Sequence, residues 1–213
     1  MSSTDLARRE RRDLAELMLA EGPDAPTLCG EWTTKDLAAH LVVREARPDA
    51  GVGIVFSPLA WWTDRVTRAT ASQPYPELVR RVRTGPPTLS VFSLPGAEGM
   101  ANLVEYFVHH EDVRRAQPDW RPRDLPVGLG DELWSRLRQL ARLTYRRVPV
   151  GVTLVRTDGD GGTHVARSGE PMVTLRGTAQ ELLLRSYGRR EVDLEVEGDP
   201  AAVEAFESAP LSV

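Results

Sequence analysis

From residue 4 to 21 the chain sets Leu6, Leu14, Leu17 and Met18 at roughly helical intervals among charges, and Gly22 followed by Pro23 stops the pattern. A first helix is expected there. After the loop "GPDAPTLCGEW", Thr33 or Thr34 is placed to cap a second helix whose buried stripe is Leu37, Ala38, Leu41 and Val42, ending before Pro48. "SPLAWWTDRVTRA" and "YPELVRRVRT" both read as helical with a proline-bearing break between them, and "GPPTLSVFSLPG", residues 85–96, reads as a loop or short extended piece. A further helix is expected from about Ala97 to Gln117, closed by Pro118. Another, over 131–147, carries Leu133, Leu137, Leu140 and Ala141 on its apolar side.

Beyond Pro149 the period falls to two. "GVTLVRT", "THVAR" and "PMVTLRG" alternate, with "DGDGG" and "SGE" as turns, and "VDLEVEG" does the same after a helical "TAQELLLRSYGR". Asp199 and Pro200 open a last helix as N-cap and first helical residue. The pattern predicts an α+β chain of two domains: a helical bundle over 1–148 and a small unit of order β-β-β-α-β-α over 149–213.

Composition narrows the function classes. A chain of 213 residues, 41% hydrophobic and 27% charged, is ordinary for a globular protein. The formal charge of -4 supplies no net field to draw in nucleic acid. Lys35 is the only lysine, so the abundance of arginine reflects a coding bias and is not by itself a sign of phosphate recognition. One cysteine, Cys29, cannot form an internal disulfide; the charged start lacks the apolar segment of a signal peptide, and no apolar run is long enough to cross a bilayer. A reducing, cytoplasmic setting is expected, with no membrane and no nucleic-acid partner.

The stretch "EYFVHHEDVRR", residues 105–115, holds two of the four histidines. A helix turns about 100° per residue, so with Glu105 at zero His109 falls at about 40° and Asp112 at about -20°. These three share a stripe; Leu103 and Phe107 lie nearly opposite, and His110 points away from His109. A carboxylate and an imidazole one turn apart can reach a single cation, but a zinc ion takes at least three protein groups. His40, at the flank of the second helix's apolar face, is the best third. The same spacing also suits a plain Glu-His pair on an exposed helix, and His40 a partly buried ring satisfied by a neighbour.

"GPDAPTLCGEWTTKDLAAHLVVRE", "VEYFVHHEDVRRA" and "GTAQELLLRSYGR" together resemble the mycothiol-dependent maleylpyruvate isomerase family, within the DinB-like group of metal-binding four-helix bundles. The first stretch looks closer to that family's uncharacterised metal-binding branch than to the isomerase itself. The resemblance implies a DinB-like bundle followed by a small sterol-carrier-like domain, with His40, Glu105 and His109 as metal ligands.

Zinc is the expected ion, and the resemblance implies mycothiol as a candidate cofactor. The open position of a two-imidazole, one-carboxylate site would turn a thiol into a thiolate near neutral pH. The expected activity is a thiol-dependent isomerase or transferase acting on a small electrophile. The alternative is a non-catalytic module whose ion is structural and whose C-terminal domain binds a partner or an apolar ligand. Asp112 or Asp36 can hold the far ring nitrogen of a ligating histidine. Arg185 and Arg189 are candidates for carboxylates of the thiol cofactor. Cys29 is either a fourth ligand or a small residue packed beside Trp32.

Overall fold

A computed structural model of the chain describes residues 1–46, 60–86 and 102–211; within 60–64 it describes the backbone alone. Most of the expected 85–96 loop, the start of the helix expected from Ala97, the stop at Pro48 and the side chains of the paired tryptophans thus lie outside the described residues. The contacts group the chain into two compact units, Met1–Trp120 and Arg121–Val213.

The first unit holds α1 (Ser3–Glu21), α2 (Thr34–Ala46), α3 (Ala60–Ala71), α4 (Tyr75–Thr84) and α5 (Leu103–Arg115). Helix α1 opens with a capping box, in which Ser2 accepts from the Asp5 amide and Asp5 returns the bond. Its stripe of Leu14, Ala15 and Met18 joins Leu37, Ala38 and Leu41 of α2, Leu78, Val79 and Val82 of α4, and Tyr106 and Val113 of α5 in one core. Helix α1 packs against both α5 and α4, and α2 against α3 and α4. Three-residue and four-residue spacing of small and branched side chains on each helix makes those contacts possible.

Helix α5 is not a surface helix. Phe107 and Leu103 are buried on one side and Glu111, Asp112 and Arg115 on others. Polar groups enclosed this way need partners. His110 Nδ1 lies 3.1 Å from Glu10 Oε2 on α1, and Glu111 takes Arg115 Nε at 2.7 Å and Arg114 at 3.0 Å.

The second unit begins with α6 (Leu129–Thr144) and continues through β1 (Gly151–Arg156), β2 (Gly162–Arg167), β3 (Met172–Gly177), α7 (Ala179–Ser186), β4 (Glu195–Gly198) and α8 (Pro200–Ser208). The strand and helix order past Pro149 matches the alternation in the sequence. In the sheet the order is β2-β1-β3-β4, antiparallel except for the parallel β1–β3 pair. Val152 pairs with Val173 and Leu154 with Leu175, so the buried residues of both central strands lie in register.

The sequence pattern places a boundary at 148/149, whereas the contacts group residues 121–148 with the strands that follow. Helix α6 packs on α7 and β2, and its first-turn Asp131 pairs with Arg156 at the end of β1 at 2.7 Å. Its buried face runs through Leu133, Trp134, Leu137 and Ala141, whereas Leu140 is 40% exposed. The bulky indole of Trp134 pulls the contact face to its own side of Leu137, away from Leu140. Among the described residues no helix is long and apolar enough to cross a membrane.

Candidate metal centre

Two helices supply the site. Helix α5 presents Glu105 and His109 one turn apart, and α2 presents His40 and, one turn further, Arg44. The start of α2 is fixed by exchanged bonds: Thr33 donates its amide and hydroxyl to Asp36 Oδ2 at 3.0 and 2.8 Å, and the Asp36 amide donates back to Thr33 Oγ1 at 3.4 Å. Asp36 is spent on that cap and does not orient His40. Trp32 packs on the His40 ring instead, with centroids 5.1 Å apart.

One oxygen is the point of convergence. Glu105 Oε1 lies 3.2 Å from His109 Nε2, 3.5 Å from His40 Nε2 and 3.3 Å from Arg44 Nε. The two imidazole rings meet edge to face, with centroids 5.6 Å apart. His40, Glu105 and His109 each place a ligand atom within 4.8 Å of the other two. Bonds of about 2.0–2.2 Å to a tetrahedral zinc ion set its ligand atoms ~3.3–3.5 Å apart, so the separations of 3.2 and 3.5 Å from Glu105 Oε1 fit such an ion with little movement. The three residues expected from the sequence are thus brought together.

On the far side of the His109 ring, Nδ1 donates to Asp112 Oδ2 at 2.9 Å, and Cys29 Sγ donates to the same oxygen at 3.1 Å. The sulfur stands 3.7 Å from Nδ1, on the side of the ring away from Glu105. Cys29, His109 and Asp112 form a second cluster of ligand-type atoms that shares His109 through its other nitrogen. Cys29 therefore sits behind the first cluster, not at its fourth corner.

Burial works against the charge on Glu105, but bonds from His109 and His40, with the charges of His109 and Arg44, hold its carboxyl well below the usual carboxylate range. Burial presses His109 down, and bonds to Asp112, Cys29 and Glu105 raise it well above the ordinary imidazole value.

Arg185 and Arg189 have other tasks within their own unit. Arg185 is buried, donates to Glu207 Oε2 at 2.8 Å and lies over the Phe206 ring, tying α7 to α8. Arg189 donates to the Tyr187 carbonyl at 2.7 Å. These bonds close the end of α7 and give no support to the expected cofactor contacts. The residue that sequence reasoning passed over is Arg44. Its signal was positional, one turn past His40 on the same stripe.

Comparison with protein-family models, with curated proteins and with solved structures yields no match for this chain.

Proposed function

We propose that the chain binds a divalent cation, zinc by preference, through His40, Glu105 and His109, and works as a thiol-dependent isomerase or transferase on a small electrophile, with mycothiol as the thiol. The supporting observation is the convergence of two ring nitrogens on Glu105 Oε1 at 3.2 and 3.5 Å. In the other cluster the Asp112 contacts of 2.9 and 3.1 Å fall further below the ~3.3–3.6 Å edges around a zinc ion with nitrogen, oxygen and sulfur ligands than the 3.2 Å contact of His109 with Glu105 does. Asp112 is also fully enclosed, whereas Glu105 is 25% exposed and an ion can reach it.

The protein's own groups divide the work. Glu105 neutralises part of the ion's charge, and Asp112 holds the Nδ1 proton of His109 so that Nε2 presents its lone pair. Three protein ligands leave one position for an incoming group. A divalent cation, when bound, stabilises the thiolate of a thiol taking that position, which makes the nucleophile available near neutral pH. Trp32 shields one face of His40, limiting water around the pair. The motifs quoted from α2, α5 and α7 support reading the first unit as a DinB-like bundle and the second as sterol-carrier-like.

A second reading has its own observation. The ion would join α2 to α5, two helices that do not pack extensively on each other among the described residues. A purely structural staple would serve there. Elemental analysis followed by thermal unfolding before and after chelation separates the two. Turnover of an electrophile with mycothiol that is lost on chelation, with the fold intact, supports the enzyme. Collapse of the fold on chelation without any turnover supports the staple, and absence of a stoichiometric ion sinks both.

A further inference from the structure

We infer that Arg44 makes this centre selective for an anionic ligand, a thiolate or a carboxylate, at the position the protein leaves open. The inference rests on the cation reading above. Arg44 Nε is 3.3 Å from the oxygen on which both imidazoles converge, and its Nη1 donates to Asn102 Oδ1 at 2.6 Å. A hydrogen bond and an ion pair through different nitrogens hold the planar guanidinium in one orientation. The side chain is only 15% exposed, so solvent and salt screen its charge weakly.

A site meant only to retain a cation gains nothing from a fixed positive charge this close, because the two repel. The charges show what the arginine suits. Among the described groups that touch the two ligating rings or Glu105, Glu105 and Asp112 bring two negative charges, a divalent ion and Arg44 would bring three positive ones, and neutral imidazoles bring none. One more negative charge closes the balance, whereas a water molecule leaves the partly buried centre positive. Arginine also differs from lysine in offering a fork that matches a carboxylate in shape. Arg44 is on this account a specificity residue acting on the ligand's charge, not a ligand of the ion.

The test uses the full chain loaded with Co2+, whose visible absorption reports the ligand at the open position. Azide and acetate are titrated as anions and imidazole as a neutral competitor, in the wild type and in Arg44→Gln, Arg44→Met and Arg44→Lys, each checked for folding by circular dichroism. Removing the charge should weaken azide and acetate about tenfold or more, leave imidazole unchanged, and leave Co2+ affinity equal or higher. Arg44→Lys should restore most of the azide affinity and less of the acetate affinity. Equal anion affinity with and without the charge overturns this inference and leaves the cation reading standing. A parallel loss for anions, imidazole and Co2+ also overturns it, by making Arg44 a packing residue. Failure of the wild type to take up Co2+ overturns the cation reading itself, and this inference with it.

Discussion

Asp112 Oδ2 accepts the Nδ1 proton of His109 at 2.9 Å, and this one bond decides which nitrogen of the ring faces Glu105. A carboxylate behind a ligating imidazole fixes its tautomer and raises its basicity. Asp112→Ala should therefore weaken divalent-cation affinity by about ten- to a hundredfold while the helical circular dichroism is retained. Competition against a chromophoric chelator measures it, and an unchanged affinity would place His109 outside the coordination sphere.

Cys29→Ser should change cation affinity by less than about threefold, because the sulfur faces Nδ1 and not the converging Nε2 atoms. The Co2+-loaded wild type should correspondingly lack the near-ultraviolet charge-transfer band of a cobalt-thiolate bond. Such a band, lost in Cys29→Ser, would move the ion to the cluster of Cys29, His109 and Asp112.

The stripe of Glu105, His109 and Asp112 was readable because helical angle alone decides which side chains share a face, and all three lie on one helix. His40 needed a second helix, and its place at the edge of an apolar face together with the resemblance carried by "DLAAHL" pointed to it. Order past Pro149 was readable from alternation and turn residues. What α6 packs on was not, since its periodicity shows that it has a buried face but not that α7 and β2 cover it. The tie from Arg185 was hidden for a similar reason: its partner Glu207 lies 22 positions further on, in another helix. Arg44 was hidden by composition, one arginine among many.

The His110–Glu10 contact joins α5 to α1 in the interior, with Glu10 fully enclosed. His110→Ala takes a polar partner from a buried carboxylate and should cost about 1–3 kcal/mol. His110→Gln, which keeps a donor, should cost less. Urea denaturation reads the difference, and a neutral result for His110→Ala would mean that the contact contributes nothing net.

Asp158, in the turn after β1, accepts from Arg156 Nε at 3.0 Å and from the Ala179 amide at 2.7 Å, so it caps α7 from a distant segment. Burial raises its carboxyl, but Arg156 and the amide outweigh that and hold it below the usual carboxylate value. Because the folded value is depressed, the stabilisation is present above the unfolded value of about 3.9 and is lost as pH falls through the folded one. The stability gap between wild type and Asp158→Asn should be constant near neutrality and narrow below about pH 4. A gap that does not vary with acidity would show that charge plays no part in this cap.

The segment between α1 and α2 is sewn down at both ends. Thr34 and Lys35 donate their amides to the Ala25 and Pro23 carbonyls at 3.0 and 3.1 Å, the Leu28 amide donates to the Asp112 carbonyl at 3.1 Å, and Gln117 reaches Pro26 at 3.2 Å. A span of chain that would otherwise wander is thus moored to the helix bearing Glu105 and His109, just ahead of the helix bearing His40. These bonds fix the spacing between the two halves of the centre, so capture of a divalent cation should proceed as a fast single-step encounter, without the slow phase of a protein that must first assemble its grip.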